Sequence, residues 1–140
     1  MATLKEIKRL KSLTETYRLD HREVAEKYTN TQLAAIYNGI GSDGFPDWLR
    51  GLVTALHPSL EPVAFIHDIE WHESDGTKEA FTGSNERFKS NGRRAAKAAF
   101  GWWNPRRYIV MNQARRFGNC CQLFGWKAWL APSEAKEAKA

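Results

Sequence analysis

Apolar residues recur along this chain at intervals of three and four, and the pattern reads as helical from end to end. Leu4, Ile7, Leu10 and Leu13 predict a short amphipathic helix over Ala2–Leu13. Asp20 is placed to cap a second helix through Val24 and Tyr28, and Asn30 to cap a third whose face carries Leu33, Ile36 and Tyr37. The third runs into NGIGSDG, with three glycines in seven residues, the strongest loop signal in the chain. Pro46 opens a helix bearing Trp48, Leu49, Leu52, Val53 and Leu56, which His57-Pro58 ends because a residue before proline avoids the α region. Pro62 opens the next, PVAFIHDIEWHES, which stops at Asp75-Gly76. Thr82 or Ser84 then caps a helix through Phe88 that stops near Asn91-Gly92. Arg93–Phe100, Tyr108–Phe117 and Asn119–Trp129 complete the helical runs, with Gly101 to Pro105 as an interruption.

With no repeat and no βαβ alternation, the expected fold is all-α. It is a single compact domain of six or seven helices over 1–133, followed by a polar, frayed tail at 134–140. Two antiparallel helices, Pro62–Ser74 and Thr82–Asn91, form its expected centre, with the glycine loop packed beside them.

Composition narrows the class. A chain of 140 residues is one domain long, and 42% hydrophobic with 26% charged residues can bury a core. The N-terminus MATLKEIKRLKSL has no apolar run of the secretory kind, so synthesis in the cytoplasm is expected. The adjacent Cys120 and Cys121 cannot easily bridge each other and form no CxxC motif, so both are expected as free, buried or half-buried thiols. Charge changes the picture more. Residues 1–86 hold 9 Lys/Arg and 14 Asp/Glu, whereas 87–133 hold 10 Lys/Arg and no acid. The second half is built for an anionic partner or for pairing with the acidic first half.

Two pieces of sequence carry candidate chemistry: Tyr37-Asn38-Gly39-Ile40-Gly41 and His67-Asp68-Ile69-Glu70-Trp71. On a helix His67 and Trp71 share a face, while Asp68 lies a step of about 100° round. A Gly-x-Gly loop lets backbone carbonyls and N–H groups approach an ion without obstruction, and calcium favours such oxygens together with a carboxylate. A histidine beside that ion could deprotonate a water while the ion and a loop N–H hold the oxyanion.

Tyr-x-Gly-x-Gly followed on the next major helix by His-Asp-x-x-Trp resembles the secreted-type phospholipase A2 family, whose signature has tyrosine at the Trp71 position. Viral capsid and phage-associated relatives that lack the disulfides are closer in style. The resemblance spans roughly 36–90 and implies a calcium-dependent carboxylic ester hydrolase acting on phospholipid. It implies that the carbonyls of Tyr37, Gly39 and Gly41 and the carboxylate of Asp68 hold calcium. His67 would be the general base, and the Gly39 N–H would join the oxyanion site. The family's histidine-orienting aspartate, in the context Ala-Asp-x-x-Phe, is matched here by Asn85 in Ser84-Asn85-Glu86-Arg87-Phe88. Asn85 can accept from His67, expected through Nδ1–H, but brings no negative charge. Trp71 can still donate from its indole. The overall layout is also similar to a family of phage and prophage proteins with no settled activity, which adds association with a virion as an expectation.

Plainer readings stand beside these. His67 could be a core histidine bonded to a backbone carbonyl, and the glycine loop only a tight turn. Glu70, Glu73 and His72 read as a solvated helix face, Asp43 as a surface turn residue, and His21 and His57 carry no signal. In the basic half, Arg93, Arg94, Lys97, Arg106, Arg107, Arg115 and Arg116 alternate with Trp102, Trp103, Tyr108, Trp126 and Trp129. That mixture suits an anionic phospholipid surface or nucleic acid. The alternative to hydrolysis is therefore a non-enzymatic binding protein on the same scaffold, using 87–133 to contact nucleic acid or a protein partner.

Overall fold

The Thr3 hydroxyl accepts a hydrogen bond from the Glu6 N–H while the Glu6 carboxylate accepts one from the Thr3 N–H, and this capping box starts α1, Leu4–Thr16. In this computed structural model, which describes residues 2–37, 51 and 55–130, α1 buries Ile7, Leu10 and Thr14 on one face. A single 3-10 segment, Arg22–Lys27, follows. It replaces the helix expected from Asp20: His21 precedes it at φ 64, a left-handed conformation that interrupts regular helix. Thr29, one residue before the expected cap, makes a second capping box with Gln32 and starts α2, Asn30–Ile36. The glycine loop and most of the Pro46–His57 helix lie outside the described residues, as does the tail.

Pro58–Leu60 makes a 3-10 turn that leads into α3, Glu61–His72. Most of α3 is buried, including Pro62, Val63, Phe65, Ile66, His67, Ile69, Glu70 and Trp71, so it is the central helix of the domain. Its N-terminus matches the expected position within one residue. Thr77 then caps α4, Lys78–Ala99, and Asn104 caps α5, Pro105–Phe124. Helical turns at 126–130 close the described chain over α3, where Ser74 Oγ donates to the Trp129 carbonyl at 2.5 Å and the Trp129 indole donates to the Thr77 carbonyl at 3.0 Å. The domain is all-helical, with no strand among the described residues. Phe65, Phe81 and Phe88 are its largest fully buried side chains, each worth about 2–3 kcal/mol relative to exposure.

α4 and α5 are longer than expected. α4 runs 22 residues straight through Asn91-Gly92, and α5 runs 20 through Gly118-Asn119. Tertiary contacts override the local stop signals. Asn91 is buried and clamps the Asp20 backbone, accepting from its N–H at 2.7 Å and donating to its carbonyl at 3.0 Å. Gly92 is where the two helices touch: a Cβ there would lie 2.2 Å from the Ala114 Cβ. Gly92→Ala should therefore lower stability by about 1–2 kcal/mol in urea titrations, the clash outweighing the helical preference for alanine. Adding Ala114→Gly moves the methyl from one helix to the other and should recover most of the loss.

Candidate functional site

α3 and α4 are antiparallel, as the contacts run from Leu60 beside Gly92 through His67 beside Asn85 to Trp71 beside Phe81. That crossing brings His67 Nε2 to 3.1 Å from Asn85 Oδ1. The bonding nitrogen is Nε2, not the Nδ1 expected, and the partner is a side-chain amide rather than a backbone carbonyl. Asn85 Nδ2 donates to Gln122 Oε1 at 2.9 Å, and Gln122 Nε2 donates to Thr82 Oγ1 at 3.0 Å. The two amides are coupled, so that turning one requires turning the other. With Asn85 Oδ1 as acceptor, the proton of neutral His67 lies on Nε2 and Nδ1 keeps its lone pair. Sequence reasoning missed Gln122, which lies 37 residues from Asn85 on a helix that carried no motif.

The His67 ring is 4% exposed. It lies between Trp71, Phe88 and Phe117, with ring centroids at 4.9, 5.2 and 6.0 Å. Trp71 enters the site as a ring face, packed also on Phe81 and Trp129, and not as the expected indole donor to Asn85. Burial pushes the His67 pKa down to about 4; the Asn85 bond opposes that shift and the positive charge of Arg87 adds to it. The imidazole is neutral at physiological pH, as a general base must be, but in this conformation it is closed to a substrate carbonyl.

Asp68 points away from His67, as its place on the helix requires. It is half-buried and has no hydrogen-bond partner among the described residues, and burial raises its pKa to about 7. Its charge acts on Tyr37 and on Cys121. Burial and then Asp68 raise the Tyr37 pKa, while Cys121 is raised first by burial, then by Cys120, then by Asp68. Tyr37 ends α2, with its ring edge-on to Phe65 at 5.6 Å. The structure thus places Tyr37 and Asp68 in one region. Gly39 and Gly41, the other expected calcium ligands, lie outside the described residues, as does Asp43. Among the described residues no group of three His, Cys, Asp or Glu side chains could hold a metal ion.

The rest of this helix departs from expectation. Glu70 is buried, not solvated: its carboxylate is bound by Arg87, by His21 Nδ1 at 2.8 Å and by Ser84 Oγ at 3.2 Å. His21, which carried no sequence signal, is therefore a structural partner. Glu73 is half-buried and pairs with Lys27 at 3.2 Å, and His72 is exposed as expected. Cys120 and Cys121 are free thiols, half-buried and buried respectively.

In the basic half, Trp126 and Trp129 pack inward, whereas Trp102, Trp103 and Tyr108 are exposed. Arg93, Arg94, Lys97, Arg106, Arg115 and Arg116 are exposed and Arg107 half-buried. None of these seven pairs with a carboxylate among the described residues; Arg94 bonds the Arg18 carbonyl and Arg115 bonds Asn112. Comparison with family models, curated proteins and solved structures found no match to this chain.

Nitrogen NMR of the histidines tests the polarity of the amide chain. His67 should show a protonated Nε2 and a bare Nδ1, and should stay neutral down to about pH 4. A histidine pKa lowered on folding stabilises the fold above its unfolded value of 6.5, and that stability is lost as pH falls through the folded value near 4. With Asp68→Asn removing the opposite contribution of Asp68, stability should fall by about 3 kcal/mol across that window.

Proposed function

We propose that the chain is a phospholipase A2-like ester hydrolase whose general base is Nδ1 of His67. In this reading the Tyr37, Gly39 and Gly41 carbonyls and the Asp68 carboxylate hold calcium, which supplies the Lewis acid that polarises the ester carbonyl. The observation that carries it is the pair His67–Asn85, held across two antiparallel helices with Nε2 facing the amide, which leaves Nδ1 for the base. The Asp68 carboxylate, half-buried without a hydrogen-bond partner among the described residues, suits a cation ligand. Asn85 offers no charge to stabilise the imidazolium, so turnover is expected to be slow. Phospholipid vesicles with millimolar calcium should release fatty acid with wild type and none with His67→Ala; equal release from the two proteins would remove the reading.

The closure of His67 favours a second reading, that the scaffold binds an anionic partner without turnover. The seven cations named above, which pair with no carboxylate among the described residues, are the surface it would use. It predicts vesicle or nucleic-acid binding that does not respond to calcium and is unchanged in His67→Ala.

A further inference from the structure

The turn between α4 and α5 is closed by its own bonds yet leaves two indoles in water. Phe100 N–H donates to the Ala96 carbonyl at 3.0 Å, Asn104 N–H to the Gly101 carbonyl at 3.0 Å, and the Tyr108 hydroxyl to the Trp102 carbonyl at 2.7 Å. Trp103 lies over Gly101, where a Cβ would come within 2.7 Å of its Nε1. In this fixed geometry Trp102 is 75% exposed and Trp103 71%, and Tyr108 and Ile109 are exposed beside them. Two neighbouring indoles held in order on the surface mark a docking site, because nothing inside the fold recovers the cost of wetting them.

The cations around the patch decide what it docks on. Lys97 and Arg93 on α4 and Arg106 on α5 are exposed and pair with no carboxylate among the described residues. At a helical rise of about 1.5 Å per residue, Lys97 lies about 5 Å and Arg93 about 10 Å behind Phe100. Lys97 and Arg93 stand behind the exposed rings along α4, and Arg106 stands beside them in the first turn of α5. A bilayer surface has that profile, with indoles favoured at the headgroup level and Lys/Arg drawn to anionic lipid. A second copy docking through the same patch would set these cations against their own kind.

We propose that the α4–α5 turn is an anchor for an anionic phospholipid bilayer. Trp102, Trp103 and Ile109 enter the interface, and Lys97, Arg93 and Arg106 meet the lipid phosphates. The anchor is separate from the His67 site. Gln122, which holds Asn85, is 17 residues beyond Pro105 on α5, or about 25 Å along the helix. The anchor therefore stands whether or not the chain hydrolyses lipid.

Sedimentation of the full chain with vesicles tests it. Vesicles of phosphatidylcholine and phosphatidylserine in equal parts should carry the protein down, and phosphatidylcholine alone should not. Trp102→Ala/Trp103→Ala and, separately, Lys97→Glu/Arg106→Glu should each weaken partition about tenfold, with melting curves unchanged because these side chains are exposed. Bromine-labelled acyl chains should quench wild-type tryptophan fluorescence and leave the double alanine variant unquenched. The proposal is overturned if the anionic vesicles fail to sediment the protein, if the double alanine variant partitions like wild type, or if its fluorescence is still quenched. Retention of a single-stranded oligonucleotide through these residues, with vesicles ignored, overturns it equally.

Discussion

Arg87→Met should destabilise the domain by about 3–5 kcal/mol, read as a lower midpoint in urea or guanidinium titrations. The buried Glu70 carboxylate has three partners: Arg87, His21 and Ser84. Burial, and then the charge of Arg87, lower the His21 pKa, so at neutral pH His21 donates as a neutral ring. Arg87 is then the one charge among the three that balances Glu70, and without it a carboxylate stays in the core held only by neutral donors. Glu70→Gln should cost less, because Arg87 is partly exposed and keeps Asp20 at 3.4 Å. The double variant Arg87→Met/Glu70→Gln should recover most of the loss, as removing both charges leaves neither stranded. The network also fixes the turn at 17–21, where Arg18 and His21 both take positive φ, at 53 and 64. Amide exchange in α1 should therefore quicken in Arg87→Met more than in α5. A cost below about 1 kcal/mol would show that Glu70 is neutral or hydrated in the native protein.

The same network shows where sequence reading stops. Helical periodicity was enough to predict an all-helical domain and to place α1, α2 and α3 within a few residues, because each buries a regular apolar face. Matching Asn85 to His67 came from the family resemblance, which sets its orienting residue on an antiparallel helix, and the two side chains do meet. Glu70 was not legible, because its partners Arg87 and His21 come from other elements and nothing local marks a helical glutamate as inward. A signal was available: α3 is apolar on nearly every side, so an acid within it needs a cation, and Arg87 sits on the next helix beside the matched Asn85. Asn91-Gly92 misled for a related reason. Both residues weaken a helix locally by up to about 1 kcal/mol, but Asn91 is occupied by the Asp20 backbone and Gly92 by Ala114. Gln122 had no motif at all, and only the α4–α5 packing brings it to Asn85.

If the hydrolase reading holds, Asn85→Asp should raise fatty-acid release by a factor on the order of 10² over wild type. The gain is electrostatic. In this reading Nε2 of His67 already donates to Asn85 Oδ1 in the wild type, so the substitution adds chiefly a negative charge that fixes the tautomer and stabilises the imidazolium formed when Nδ1 takes a proton. The surroundings can accept it. A carboxylate no longer donates to Gln122 Oε1, but rotation of the Gln122 amide turns Nε2 toward it, and the Thr82 hydroxyl, which can donate as well as accept, then serves Oε1. The pH profile should move with the rate. The His67 pKa, held near 4 by burial, should rise toward neutrality beside the new charge. Gln122→Met in the Asn85→Asp background should lose part of the gain, because the carboxylate keeps its charge but not its orientation. Asn85→Leu, apolar and close in volume, should abolish release while the domain stays folded. If Asn85→Asp releases no more fatty acid than His67→Ala, the histidine is a core residue and the scaffold's work is done by its basic surface.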